Sequence, residues 1–159
     1  MKREELQHYF DTSMGKETDY ALIGDGVSSL TEEFNPEEGT SQWINQANGN
    51  TEVKSYTPSI EVAKEDCIDD DMQDCIDTLV DTLPTGTSAE SFYVRLRLKD
   101  NISAGVYKAY RRKCAVSVVN TGGDAGNNVS NTIKIGGKGD AVAGTFDIST
   151  NTFTVGVEP

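Results

Sequence analysis

Apolar positions recur along this chain with two different periods, and the helical period occurs in one stretch near the middle. Met72, Cys75, Ile76, Leu79, Val80 and Leu83 follow one another at three- and four-residue steps, which is one face of a single α-helix. Asp69, Asp70 and Asp71 stand where that helix begins, beside the positive end of its dipole, and Pro84 followed by Gly86 stops it. The spacing predicts a helix over 69–83, with Met72, Ile76, Leu79 and Leu83 turned toward the core.

Elsewhere the period is two. Phe92, Val94, Leu96 and Leu98 alternate with Tyr93, Arg95, Arg97 and Lys99, the cleanest strand in the chain. Residues 100–105 turn it, and 106–119 return, ending at Val119, with the alternation faltering at Arg111-Arg112-Lys113 as at a bulge or a departure from the sheet. A long hairpin over 92–119 is therefore predicted. After a Gly/Asn/Asp loop over 121–128, Val129, Asn131, Ile133 and Ile135 alternate. Gly136 to Asp140 reads as a turn, 142–148 return, and Phe153, Val155 and Val157 finish a meander of three strands.

Upstream of the helix the signals are weaker. Residues 20–23, the turn Gly24-Asp25-Gly26 and residues 28–34 read as a hairpin, and 52–62 as an edge or bulged strand broken at Pro58. Residues 35–50 are polar, hold Pro36 and close on Asn48-Gly49-Asn50, which is loop chemistry. Residues 1–14 leave two readings open. They form either a short helix with Leu6, Tyr9 and Phe10 on one side or an arm that orders against a neighbour. A lone helix among strands packs onto a sheet, so the expected fold is mainly β: an antiparallel β-sandwich or partly closed barrel with one flanking α-helix.

Length and charge narrow the function. The 159 residues suit one domain with a core of its own, over 1–159, and no apolar run approaches the length that spans a bilayer. The charged start Met1-Lys2-Arg3-Glu4-Glu5 has no hydrophobic segment behind it and carries no visible export signal. Cys67, Cys75 and Cys114 are odd in number and lack CxxC spacing, which fits reduced thiols in a cytoplasmically made protein. A net charge of -12 opposes ordinary nucleic-acid binding. That charge is uneven: residues up to Leu83 carry -15 and those from Pro84 onward +3, which would suit copies meeting through unlike surfaces.

No catalytic set emerges. The single histidine, His8, would have to serve any Ser-His-Asp, Cys-His or His-metal arrangement. The aspartates Asp69, Asp70, Asp71, Asp74 and Asp77 lack the central glycine of a calcium loop and fall on the helical pattern. Gly136-Gly137-Lys138-Gly139 has neither Walker spacing nor a Ser or Thr after the lysine. Arg111-Arg112-Lys113, near Tyr107 and Tyr110, reads as a solvated strand face or a contact for the acidic half. The only tryptophan, Trp43, sits beside Ile44 in a polar loop, either as a plug into the core or as a contact anchor.

Taken together, the opening Met1-Lys2-Arg3-Glu4-Glu5-Leu6-Gln7-His8-Tyr9-Phe10, the stretch from Tyr20 to Gly26, Gln42-Trp43-Ile44-Asn45-Gln46, the run from Ser55 to Val62 and the closing run from Gly139 to Asp147 resemble a bacteriophage major tail tube protein. The resemblance covers nearly the whole chain. It implies a β-sandwich with a flanking helix, assembled into hexameric rings that stack into a hollow tube for the viral genome. It also implies partners: further copies of itself, a tape measure protein, a tail terminator and distal tail or baseplate proteins. DNA would pass through the lumen without sequence-specific binding, with no cofactor and no membrane. The implied location is the virion tail, after synthesis in the bacterial host cytoplasm. The same family fold serves the inner tubes of contractile tails and tailocin-like particles. A monomeric β-sandwich binding module is the alternative from another class, and an enzyme the third.

On the tube reading, the expected subunit interface draws on Phe34, Pro36, Trp43 and Ile44 together with Arg95, Arg97, Arg111 and Arg112 of the long hairpin, which would face acidic surface on the next copy. Residues 35–50 and the first dozen residues are expected to be mobile until subunits meet. The channel wall is expected to present more Asp and Glu than Lys and Arg. Alternation assigns residues to a shared face without saying which face looks inward.

Overall fold

The helix, α1, runs over Asp71–Thr82 in a computed structural model that describes residues 1–156. Asp70 caps its start, its carboxylate accepting a hydrogen bond from the Met72 N–H. Met72 and Ile76 are fully buried, with Leu79 and Cys75 beside them. Leu83 does not face the core as its spacing suggested. It closes the helix in the left-handed conformation, φ 45, donating its N–H to the Leu79 carbonyl, and is 62% exposed. A residue that leaves the helical path also leaves the helical register, so its side chain swings out.

Ten strands surround this helix: β1 (Leu6–Asp11), β2 (Tyr20–Leu22), β3 (Glu32–Glu33), β4 (Pro36–Ser41), β5 (Asn50–Tyr56), β6 (Ser59–Glu65), β7 (Glu90–Ser103), β8 (Val106–Gly122), β9 (Ser130–Asp147) and β10 (Thr152–Val155). All pairings are antiparallel. The main sheet runs β2-β1-β7-β8-β9-β6-β3, with β10 on the far half of β9, while β4 and β5 form a sheet of their own. The architecture is thus mainly β with one flanking helix, and the long hairpin extends over β7 and β8.

Several local readings change. Residues 1–14 form neither a helix nor an arm. After a 3-10 turn at Arg3–Glu5, Leu6–Asp11 pair with β7 on one side and β2 on the other. His8, Tyr9, Phe10 and Asp11 are all buried because this strand is wedged between two cores, which removes the alternation that marks a half-exposed strand. Residues 20–23 and 28–34 do not pair with each other. β2 joins β1, and the two-residue β3 crosses to β6. The chain over 52–62 divides at Pro58 into strands of different sheets. Gly136 to Asp140 is no hairpin turn. β9 passes straight through it, absorbing the extra residues as a bulge opposite Arg111–Lys113 while β8 runs alongside. Val157, assigned to the last strand by alternation, lies outside the described residues.

The main sheet curls in two senses. On one face Phe10, Tyr93, Cys114, Val116, Ile133, Ile135, Ile60 and Val62 pack under α1. On the other face Tyr9, Tyr20, Val94, Leu96, Ala109 and Phe146 form a second core. Tyr9 of β1 and Phe146 of β9 lie three strands apart along the sheet, roughly 14 Å if it were flat. Their ring centroids are 4.4 Å apart, so the sheet has rolled there. The first core is drawn in likewise by Glu32 of β3, which reaches across to β7 and β1 through side chains. The barrel outline remains open.

Candidate assembly surface

The polar residues between Phe34 and Pro58 form a blade. β4 and β5 pair only with each other, and nearly every residue in them is exposed on both faces. At the tip Gln46 holds the turn together. Its side chain oxygen accepts from the Trp43 N–H at 3.1 Å and from Asn50 Nδ2 at 2.7 Å, and its carbonyl accepts from Gln42 Nε2 at 3.0 Å. This turn presents Trp43 at 63% exposure and Ile44 fully to solvent, with Val53 and Tyr56 exposed along the blade. Trp43 is therefore not a plug into its own core. An isolated two-stranded hairpin is marginal in water, and this one carries an apolar tip open to solvent.

The root of the blade is firmly tied. The Thr57 N–H donates to the Phe34 carbonyl at 2.9 Å, and Asn35, in a left-handed turn, donates from Nδ2 to the Thr57 carbonyl and Ser59 Oγ. The Gly137 N–H donates to the Pro58 carbonyl at 2.7 Å. Two residues before Phe34, Glu32 accepts from Tyr93 Oη at 2.8 Å and Arg95 Nη1 at 3.0 Å, with His8 Nε2 at 3.3 Å. Burial alone would raise its carboxyl, but hydrogen bonds from His8 and Tyr93 and the Arg95 charge outweigh it and hold the group at about 2.

The eight expected interface residues separate into two groups. Phe34, Pro36, Trp43 and Ile44 belong to the blade and its root. The arginines lie on the long hairpin, and Arg95 and Arg111 are engaged within their own chain. Arg95 is committed to Glu32 and lies over the rings of Phe34 and Tyr110, each 5.7 Å away. Arg111 pairs with Glu17 at 2.6 Å between the rings of Phe92 and Phe153. Arg112 donates to the Gly139 carbonyl, and Arg97 lies 3.9 Å from Asp100 on the surface. Arg95 and Arg111, partly buried with their carboxylates already in place, have little charge left for a neighbour, whereas Arg97 and Arg112 keep theirs near the surface.

Sequence reasoning missed the blade. The signal was there: Asn48-Gly49 sits between two runs of similar length that hold Thr40, Thr51, Val53 and Tyr56. It also missed Glu32, and the buried Lys64, whose ammonium lies 2.7 Å from the Asp70 carboxylate and ties the start of α1 to β6. Among the described residues no group of His, Cys, Asp and Glu is placed to hold a metal, and no helix is long and apolar enough to cross a membrane.

No family model matches the chain, and no curated protein sequence matches it. Solved structures do match in fold. A chain from the tail of an empty gene transfer agent particle, refined with C6 symmetry, superposes with a TM-score of 0.62 at 13% identity, covering 89% of this chain and 96% of that one. A chain from the virion of the native gene transfer agent particle gives 0.57 at 12% identity, covering 98% and 99%. A chain from the tube-terminating cap of the anti-feeding prophage gives 0.52 at 9% identity, covering 90% and 89%. The chain thus has a fold found in phage-tail-like particles, the class to which the tail tube resemblance pointed.

Proposed function

We propose that this chain is a non-enzymatic structural subunit of a tail tube, whose copies form hexameric rings that stack into a hollow conduit for genome delivery. The observation that carries this is the blade: a firmly rooted hairpin, exposed on both faces and tipped by Trp43 and Ile44, on a fold shared with a C6-symmetric tail. The blade reaches a neighbouring copy and buries its tip there. Its rooted legs mean that contact needs little ordering of the arm, which lowers the entropic cost of assembly. A terminator, a tape measure protein and distal or baseplate proteins complete the tail. The anti-feeding prophage likeness supports a second reading, the inner tube of a contractile phage-like particle. Electron microscopy of the purified protein tests both, with rings or tubes expected. The double variant Trp43→Ala, Ile44→Ser should leave the monomer's unfolding within about 0.5 kcal/mol of the parent, since both side chains are exposed, and abolish tubes. Normal tubes from that variant would remove the blade from the interface.

A further inference from the structure

We infer that one sheet face, the outward side of β6, β9 and β8 with the start of β7, is the wall of the conduit past which a polyanionic duplex moves; this rests on the tube reading above. The inward side of these strands carries Ile60, Val62, Ile133, Ile135, Cys114 and Val116, all buried under α1. The outward side is not covered by any described element. Its rows are fixed by register: Ser59, Gly136, Ala115 and Glu90 lie side by side, then Glu61, Lys134 and Ser117. Ala63 and Thr132 follow. Apart from Glu90, Glu61 and Lys134 the side chains in these rows are small, and no aromatic group stands among them on which a base could stack.

The charges on this face are arranged in opposition. Glu61 stands directly across from Lys134, the closest cross-strand relation a sheet offers. Glu90 holds both Lys113 at 3.1 Å and Lys138 at 2.8 Å, and these two lysines keep its carboxyl below the usual range, Lys138 foremost. Glu65, across from Ser130, and Glu33 of β3, across from Ser59, bring the carboxylates to four against three ammonium groups. A chain of net charge -12 therefore keeps one face within about one charge of neutral, while Asp71, Asp74, Asp77 and Asp81 line the exposed side of α1. Each cation free to pair with phosphate would add an attraction that a moving duplex must break, and a lysine already opposed by a carboxylate adds little. The wall carries a small excess of acid, in the direction expected from the charge of the whole chain but far smaller than that charge.

The test places one heavy atom on this face in assembled tubes. Ser117→Cys and, separately, Ala63→Cys are made in a Cys67→Ser chain, and tubes are treated with ethylmercury and reconstructed by electron cryomicroscopy. Mercury density on the inner surface at both positions is the expected result. Density on the outer surface, or no labelling because the face is sealed between copies, overturns the assignment while leaving the tube intact. If one variant fails to assemble, the other gives the answer. Absence of tubes from the parent chain overturns the tube reading, and this inference with it.

Discussion

Replacing Glu32 with Gln removes the charge that draws β3 across the sheet while keeping the shape of the side chain. The carboxylate is 6% exposed and is met by Tyr93, Arg95 and His8. Its pKa falls from 4.5 to about 2, a depression worth about 3 kcal/mol by linkage, which we reduce to about 2 kcal/mol for partial solvent screening. Because the folded value lies below the unfolded one, this stability is fully present above pH 4.5 and is lost as pH falls toward 2. Glu32→Gln should therefore cost about 2 kcal/mol at pH 7, and leaving the partly buried Arg95 without its counter-ion acts in the same direction. Urea unfolding of parent and variant at pH 7, 5, 4 and 3 reads the difference directly, and the comparison cancels every other titrating group that the two chains share. The gap should narrow by more than half between pH 5 and pH 3. Equal stability at pH 7, or a gap that does not change with pH, would refute an ionised Glu32 as the bridge between β3 and β7.

The helix offers a paired test: Ile76→Asp puts a charge into a fully buried site and should cost about 4 kcal/mol or more, whereas Leu83→Gly relieves a left-handed backbone at an exposed position and should raise stability by about 0.5–1 kcal/mol, both read by thermal unfolding. Burial pushes the Cys75 and Cys114 thiols up to about 12, so a thiol-reactive dye should modify only Cys67 in the native protein at pH 8 and all three cysteines after unfolding. Fast native labelling of three thiols would contradict the packing of α1 on the sheet. Arg111→Met deletes the ion pair to Glu17 and the cation between Phe92 and Phe153, and should cost about 1–2 kcal/mol and speed amide exchange in β10, measured by hydrogen exchange.

How much could be read from the chain alone depended on whether an element has one wet face. α1 has, so its period, its acidic start at Asp69 to Asp71 and its stop before Pro84 were legible, while Leu83 left the face its spacing assigned. β7 alternates in residue type over Phe92 to Lys99 and was legible as a strand, although Tyr93 on its polar side is buried in the core under α1. β1 has no wet face, being buried on both sides, so its four consecutive buried residues carry no period to read. Gly136 to Asp140 had the composition of a turn, and only the pairing of β9 with β8 before and after it carried the strand through as a bulge. Glu32 looked like any surface glutamate, because its partners Tyr93 and Arg95 lie 61 and 63 residues away and meet it only once the sheet has curled. Local sequence determined which residues share a face. Tertiary structure decided which faces are covered, since coverage depends on strand order and curl, and so left the Trp43 blade and the outward face of β6, β9 and β8 exposed.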